Sequence, residues 1–213
     1  MPLSQSTDCN TIFYTNPQSR GQIARWMLEE VGADYRQEIL EYGAGMKSQE
    51  FLKINPMGKV PTIVHGGKVI TECAAICAYL ADAFPEKGLA PSLDNRADYY
   101  RWLFFSAGPL EAAIVNRSLG VEVKADQERM VGYGNYELVL DTLSQQLLDS
   151  PYVAGEHFTA ADVYVGSHVL WGLHFGSMDM RPGFEEYAAR VSERQAYKAA
   201  KLIDEELIAE REK

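Results

Sequence analysis

The chain has 213 residues, 46% of them hydrophobic and 23% charged, which is enough to bury two small cores without staples. Its formal net charge of −10 repels phosphate backbones, so nucleic acid is not an expected partner. The three cysteines, Cys9, Cys73 and Cys77, have neither disulfide-framework nor zinc-site spacing and fit a reducing compartment.

Residues 1–10 are polar and lack the apolar core of a secretion signal. No run reaches the roughly 18 apolar residues of a membrane span. A cytoplasmic protein with a frayed start over residues 1–10 is expected. Ile12-Phe13-Tyr14 reads as a short strand ending at the turn cluster Asn16-Pro17-Gln18-Ser19. Ile23, Trp26, Met27 and Val31 then fall at helical spacing, and Gly32 stops the helix. Tyr35 to Leu40 predicts a second strand, Tyr42 to Ser48 a loop, and Gln49 to Ile54 about one helical turn. Val60 to Val64 and Lys68 to Ile70 flank Gly66-Gly67, a two-residue hairpin signal. Ile76, Tyr79, Leu80, Ala83 and Phe84 mark a covering helix that ends before Pro85.

The order β-α-β, loop, β-β-α predicts a mixed four-stranded sheet. Strand signals vanish after residues 87–92, which read as a linker between a first domain, 1–86, and an all-helical domain, 93–213. There, Tyr99 to Leu110 predicts one long helix bent at Gly108-Pro109, and Met130 to Leu147 a second. Thr159 to Leu173 predicts a central apolar helix, Phe184 to Val191 a fourth, and Ala196 to Lys213 a charged helical tail. Thr159 and Asp162 have the spacing of a capping box, with a structural and not a catalytic role.

Four segments carry a resemblance. Tyr14 to Arg20, Asn55-Pro56-Met57-Gly58-Lys59-Val60-Pro61-Thr62-Ile63, Thr71-Glu72-Cys73-Ala74-Ala75-Ile76 and Phe158-Thr159-Ala160-Ala161-Asp162-Val163 resemble, in order and spacing, the cytosolic glutathione transferase family. The resemblance implies a thioredoxin-like α/β domain followed by an all-α domain. It implies a detoxifying transferase that conjugates the glutathione thiolate to a small apolar electrophile. Glutathione is then a co-substrate, no metal is involved, and the chain is expected to pair as a homodimer.

The resemblance also assigns roles. A cis bond at Val60-Pro61 would present the Val60 backbone to the cysteinyl part of glutathione, like an added strand. Glu72 and Cys73 open the next helix, where the γ-glutamyl end is held: amides take its carboxylate and Glu72 its ammonium. The family usually carries serine or threonine where this chain has Cys73. That exchange weakens the side-chain hydrogen bond or gives the thiol a redox role. Cys77 reads as a core filler. Lys47 and Lys59 are the candidate cations for the glycyl carboxylate.

Thiol activation needs a pKa near 8.5 to fall by about 2, roughly 2.7 kcal/mol of preferential anion stabilisation. One hydroxyl donating to the anion supplies about 1.5–3 kcal/mol, and a helix N-terminus roughly 0.3–2. The candidates are Tyr14, Thr15, Asn16 and Ser19. Ser19 is preferred, because Tyr14 to Ser19 looks like the phi-type pattern in which a serine after proline and one spacer serves the thiol. It is expected at the N-cap or first turn of the helix carrying Trp26. Tyr14 and Asn16 are the runners-up. Phe104, Phe105 and Leu110 near the predicted bend, with Trp171, are candidates for the electrophile pocket. His174, on the same helix as Trp171, is a further candidate there, with a structural role favoured over a catalytic one. The alternatives are a glutathione-dependent peroxidase, dehalogenase or isomerase on the same fold, or a non-catalytic glutathione transferase-like binding or regulatory protein. A thioredoxin-type oxidoreductase is disfavoured, since no cysteine stands at Asn16 or Ser19.

Overall fold

The computed structural model describes residues 10–211. The expected fraying of residues 1–10, and Cys9 with it, lies outside the described residues except for Asn10. The described residues divide into two compact units: 10–80 with 195–211, and Ala81–Arg194.

The first unit is built on four strands: β1 (Thr11–Thr15), β2 (Arg36–Ile39), β3 (Thr62–His65) and β4 (Lys68–Thr71). Their order is β2-β1-β3-β4, with β1 parallel to β2 and the other pairs antiparallel. Alternation along β1 buries Thr11, Phe13 and Thr15 on one face. The β3–β4 connection is Gly66-Gly67, both at positive φ, 56° and 76°. A two-residue hairpin with this twist requires such backbone, which glycine adopts without a Cβ clash.

Helix α1 (Gly21–Val31) buries Ile23, Ala24, Trp26, Met27, Leu28 and Val31, an apolar face set by the 3.6-residue period. A short α2 (Gln49–Leu52) is capped by Ser48, whose side chain accepts from the Phe51 N–H. Helix α3 (Cys73–Ala83) covers the hairpin through Ile76, Cys77 and Leu80, all fully buried.

The second unit holds α4 (Ala97–Phe105), α5 (Glu111–Ser118), α6 (Tyr136–Asp149), α7 (Ala160–Phe175) and α8 (Phe184–Ser192). Two differences from the sequence reading have local causes. The long helix expected over Tyr99 to Leu110 is interrupted by a π-helical turn at Ser106–Leu110 that contains Pro109. Proline has no N–H and clashes with the carbonyl four residues back, and the wider turn removes that conflict. The helix expected from Met130 begins only at Tyr136, where the Asn135 side chain accepts the Leu138 N–H at 2.8 Å. Gly132 and Gly134 disfavour helix before that cap.

Helix α7 starts at the predicted capping box: Ala161 N–H donates to Thr159 Oγ1 at 3.3 Å and Thr159 N–H to Asp162 Oδ2 at 2.9 Å. Asp162 also accepts from Val153 N–H at 2.9 Å and the Tyr187 hydroxyl at 3.0 Å, tying α7 to a loop and to α8. Burial pushes the Asp162 carboxyl up to about 6, against the pull of these hydrogen bonds.

The last helix, α9 (Gln195–Arg211), packs on α1 and so belongs to the first compact unit, whereas the boundary at residues 87–92 assigned it to the helical half. The reason is specific: Tyr197 lies edge-on to Trp26 at 4.9 Å, and Asp204 pairs with Arg25. Among the described residues, no helix is long and apolar enough to cross a membrane.

Candidate functional site

The register of the sheet decides what is brought together. Tyr14 opposes Thr62, and Thr62 opposes Thr71. The C-terminal end of β1, the N-terminal end of β3 and the C-terminal end of β4 therefore lie side by side. That one sheet end carries the turn 16–19, Val60-Pro61 and Glu72-Cys73. Cys73 closes the arrangement, since its Sγ donates to the Arg20 carbonyl at 3.7 Å.

The Val60-Pro61 bond is cis, as the resemblance implied. Val60 is half-buried and the β1–β3 ladder starts only at Thr62, so the Val60 backbone stands outside the sheet pairing. The loop before it is held by Asn55, a residue of the quoted segment to which its sequence context gives no role. Its Nδ2 donates to Lys59 O at 2.9 Å and Thr62 Oγ1 at 3.0 Å, and its Oδ1 accepts the Met57 N–H at 3.1 Å. The Asn-Pro dipeptide, a turn signal, was the available clue.

Glu72 is exposed and has φ 65°, the only non-glycine residue at positive φ among those described. Such backbone costs on the order of 1–3 kcal/mol and persists where surroundings enforce it. It turns the chain sharply into α3, whose first intrahelical bond is Ile76 N–H to Glu72 O. The Ala74 and Ala75 N–H groups thus have no intrahelical acceptor, the setting at a helix start in which an anion is favoured. Cys73 and Cys77 are both buried, and burial drives the Cys77 thiol well above its ordinary value, consistent with an inert core residue.

Ser19 is half-buried and precedes the α1 N-cap, Arg20, by one residue. Its hydroxyl donates to Asn16 O at 2.6 Å and accepts the Gly21 N–H at 2.9 Å. The two runners-up are engaged elsewhere. Tyr14 packs on Phe51 of α2 at 5.3 Å. Asn16 is buried, and its side chain donates to Leu40 O at 2.9 Å and accepts from Gln18 N–H at 3.0 Å. Gln18 O also accepts from the Tyr42 hydroxyl at 3.0 Å, another contact that sequence spacing did not reveal.

Lys47 donates to Met57 O at 2.7 Å and Gly58 O at 3.1 Å. Its ammonium has three donors, so one remains. Lys59 is exposed.

In the helical unit the four predicted pocket residues do not share one environment. Phe104 is 70% exposed, and Phe105 is half-buried against Trp102 at 5.0 Å. Trp171 is half-buried, whereas Leu110 is fully buried in the core. Leu110 is the last residue of the π-helical turn. His174 is exposed and lies against Phe175. Among the described residues, no group of three or more His, Cys, Asp or Glu side chains is arranged to hold a metal.

A mixed sheet in this order, with a cis-proline just before β3, defines a thioredoxin-like unit, here joined to a helical one. The family model for the glutathione S-transferase N-terminal domain matches residues 10–82. Glutathione S-transferase A of Pleuronectes platessa is 30% identical over 190 residues, spanning 82% of this chain and 83% of that protein. The disulfide-bond oxidoreductase YfcG of Escherichia coli (strain K12) is 29% identical over 211 residues, spanning 90% and 96%. The structure of a sphingomonad glutathione S-transferase complexed with glutathione superposes with a TM-score of 0.73 at 27% identity, covering 91% of this chain and 98% of that one. The chain belongs to the glutathione S-transferase family.

Proposed function

We propose that this chain is a glutathione transferase that binds glutathione at the sheet end and passes its sulfur to an apolar electrophile. The observation that carries the reading is the convergence of Val60, Glu72 and Ser19 at that one end, enforced by the Tyr14–Thr62–Thr71 register. Val60 offers unpaired strand-like backbone to the cysteinyl unit. The first turn of α3 takes the γ-glutamyl carboxylate and Glu72 the ammonium, beside Cys73. Lys59 and the remaining donor of Lys47 take the glycyl carboxylate. The Ser19 hydroxyl turns from Asn16 O to the sulfur, and the thiol proton leaves to solvent. In the helical unit, Phe104, Phe105, Leu110 and Trp171 are the side chains proposed for the electrophile. A homodimer is the proposed assembly and the cytoplasm the proposed location.

The second reading is glutathione-dependent disulfide reduction. It is favoured by the likeness to the Escherichia coli disulfide-bond oxidoreductase, 96% of whose length the match with this chain covers. With no cysteine in the turn 16–19, the attacking thiol would be that of glutathione itself. Steady-state assays separate the two. The transferase reading expects turnover of an aryl halide above that of a glutathione-reducible disulfide or cumene hydroperoxide. Turnover confined to the disulfide replaces it with the second reading, and absence of all three reactions refutes both.

A further inference from the structure

Thr15 is completely buried, and its hydroxyl has no hydrogen-bond partner among the described residues. Such a group costs about 1–3 kcal/mol and asks for an explanation. Its position supplies one. A β-carbon placed on Gly21 would lie 2.0 Å from Thr15 Oγ1, 3.0 Å from Ser19 Oγ and 3.2 Å from Asn16 O. Three oxygens therefore surround one point beside the first residue of α1. They share only two hydroxyl protons. The Ser19 proton is placed on Asn16 O, and the Thr15 proton is placed on nothing.

We infer that Thr15 is the positioning residue for Ser19, an inference that rests on the proposed role of Ser19 at the thiol. A serine oxygen accepts two hydrogen bonds and donates one. Ser19 Oγ already accepts the Gly21 N–H, which leaves one acceptor site. When a thiolate arrives, Ser19 rotates its proton from Asn16 O to the sulfur, and Thr15 donates into the acceptor site of Ser19 Oγ. The result is a chain, Thr15 O–H to Ser19 O–H to S⁻, in which each bond polarises the next in a dry setting. The hydroxyl, orphaned in the free protein, gains its partner in the thiolate-bound arrangement, so its cost in the free protein returns as preference for the anion. Gly21 is required because any side chain there would occupy the space in which the three oxygens meet.

The test compares Thr15→Val, Thr15→Ser and Ser19→Ala. Each is read by ultraviolet titration of the thiol of bound glutathione and by thermal unfolding of the free protein. Valine keeps the shape and removes only the hydroxyl. Thr15→Val is expected to unfold at or above the wild-type temperature while the acid dissociation constant of the bound thiol falls about two- to tenfold, the worth of one neutral hydrogen bond. Thr15→Ser, which keeps the donor, is expected to restore the wild-type constant and covers the case in which valine fails to fold. A wild-type constant in Thr15→Val, with a lowered one in Ser19→Ala, overturns the positioning role alone. A lowered constant in both Thr15→Val and Thr15→Ser overturns it too, since the hydroxyl is then not the active feature. An unchanged constant in Ser19→Ala removes the role of Ser19, and this inference with it.

Discussion

Arg25 Nε donates to Asp204 Oδ1 at 2.9 Å, a buried ion pair that joins the first helix of the sheet unit to the last helix of the chain. Arg25 is completely buried, lies over the Phe13 ring at 5.2 Å and donates a further bond to the Tyr35 hydroxyl at 3.0 Å. Breaking one side of such a pair leaves an uncompensated charge in a medium that solvates it poorly. Asp204→Ala is expected to destabilise the protein by about 3–5 kcal/mol, and Asp204→Asn by less, because the amide oxygen still accepts from Arg25. Urea unfolding of the two variants checks this, with Asp204→Ala the weaker protein.

The α7 cap makes a graded prediction. Thr159→Ala removes one acceptor at the helix start and is expected to cost on the order of 1 kcal/mol. Asp162→Ala removes the acceptor of two backbone N–H groups and two hydroxyls, all buried, and should cost about 3 kcal/mol or more. Equal melting temperatures for the two variants would remove Asp162 from its place at the centre of the helical unit.

Asp162 also sets a pH dependence. Its folded value of about 6 lies above the ordinary 3.8, because burial disfavours the charged form. Between these values the folded protein holds a proton that the unfolded chain has released, so the contribution of this group falls as pH rises. It is fully present below about 4 and lost by about 7. The stability advantage of the wild type over Asp162→Asn should therefore shrink across that window, by at most about 3 kcal/mol. Denaturant titrations of both proteins at several pH values read the trend, and a gap that widens with pH contradicts the sign.

Gly21→Ala places a methyl 2.0 Å from Thr15 Oγ1. Overpacking of this kind costs about 1–3 kcal/mol. Thr15→Ala opens the space, so the double variant should recover part of the loss. Additive losses in a double-mutant cycle would show that the two residues do not meet.

Much of the fold was legible because its signals are local. The Gly66-Gly67 hairpin, the period of α1, and the Thr159–Asp162 box each lie within a few residues, and the Val60-Pro61 geometry followed from the resemblance of its segment. The candidate site was legible as residue types at family spacing. How they are held was not. Asn55 and Tyr42 act through partners fixed by loop geometry, and Asn16 and Tyr42 reach across 24 residues of sequence. The placement of α9 was hidden as well. Its charged period reads as a solvated helix, and nothing in that pattern identifies Arg25 as the partner of Asp204. The π-helical turn was half-visible: Gly108-Pro109 announced a bend, but not the added width of the turn.

The proposed chemistry depends on the sheet end stabilising a thiolate. Adding glutathione to the wild-type protein at neutral pH and recording ultraviolet difference absorbance tests it directly. A thiolate band that grows and saturates with glutathione, and is lost on acidification with a midpoint well below the free thiol value, is the predicted result. A flat difference spectrum at saturating glutathione contradicts it.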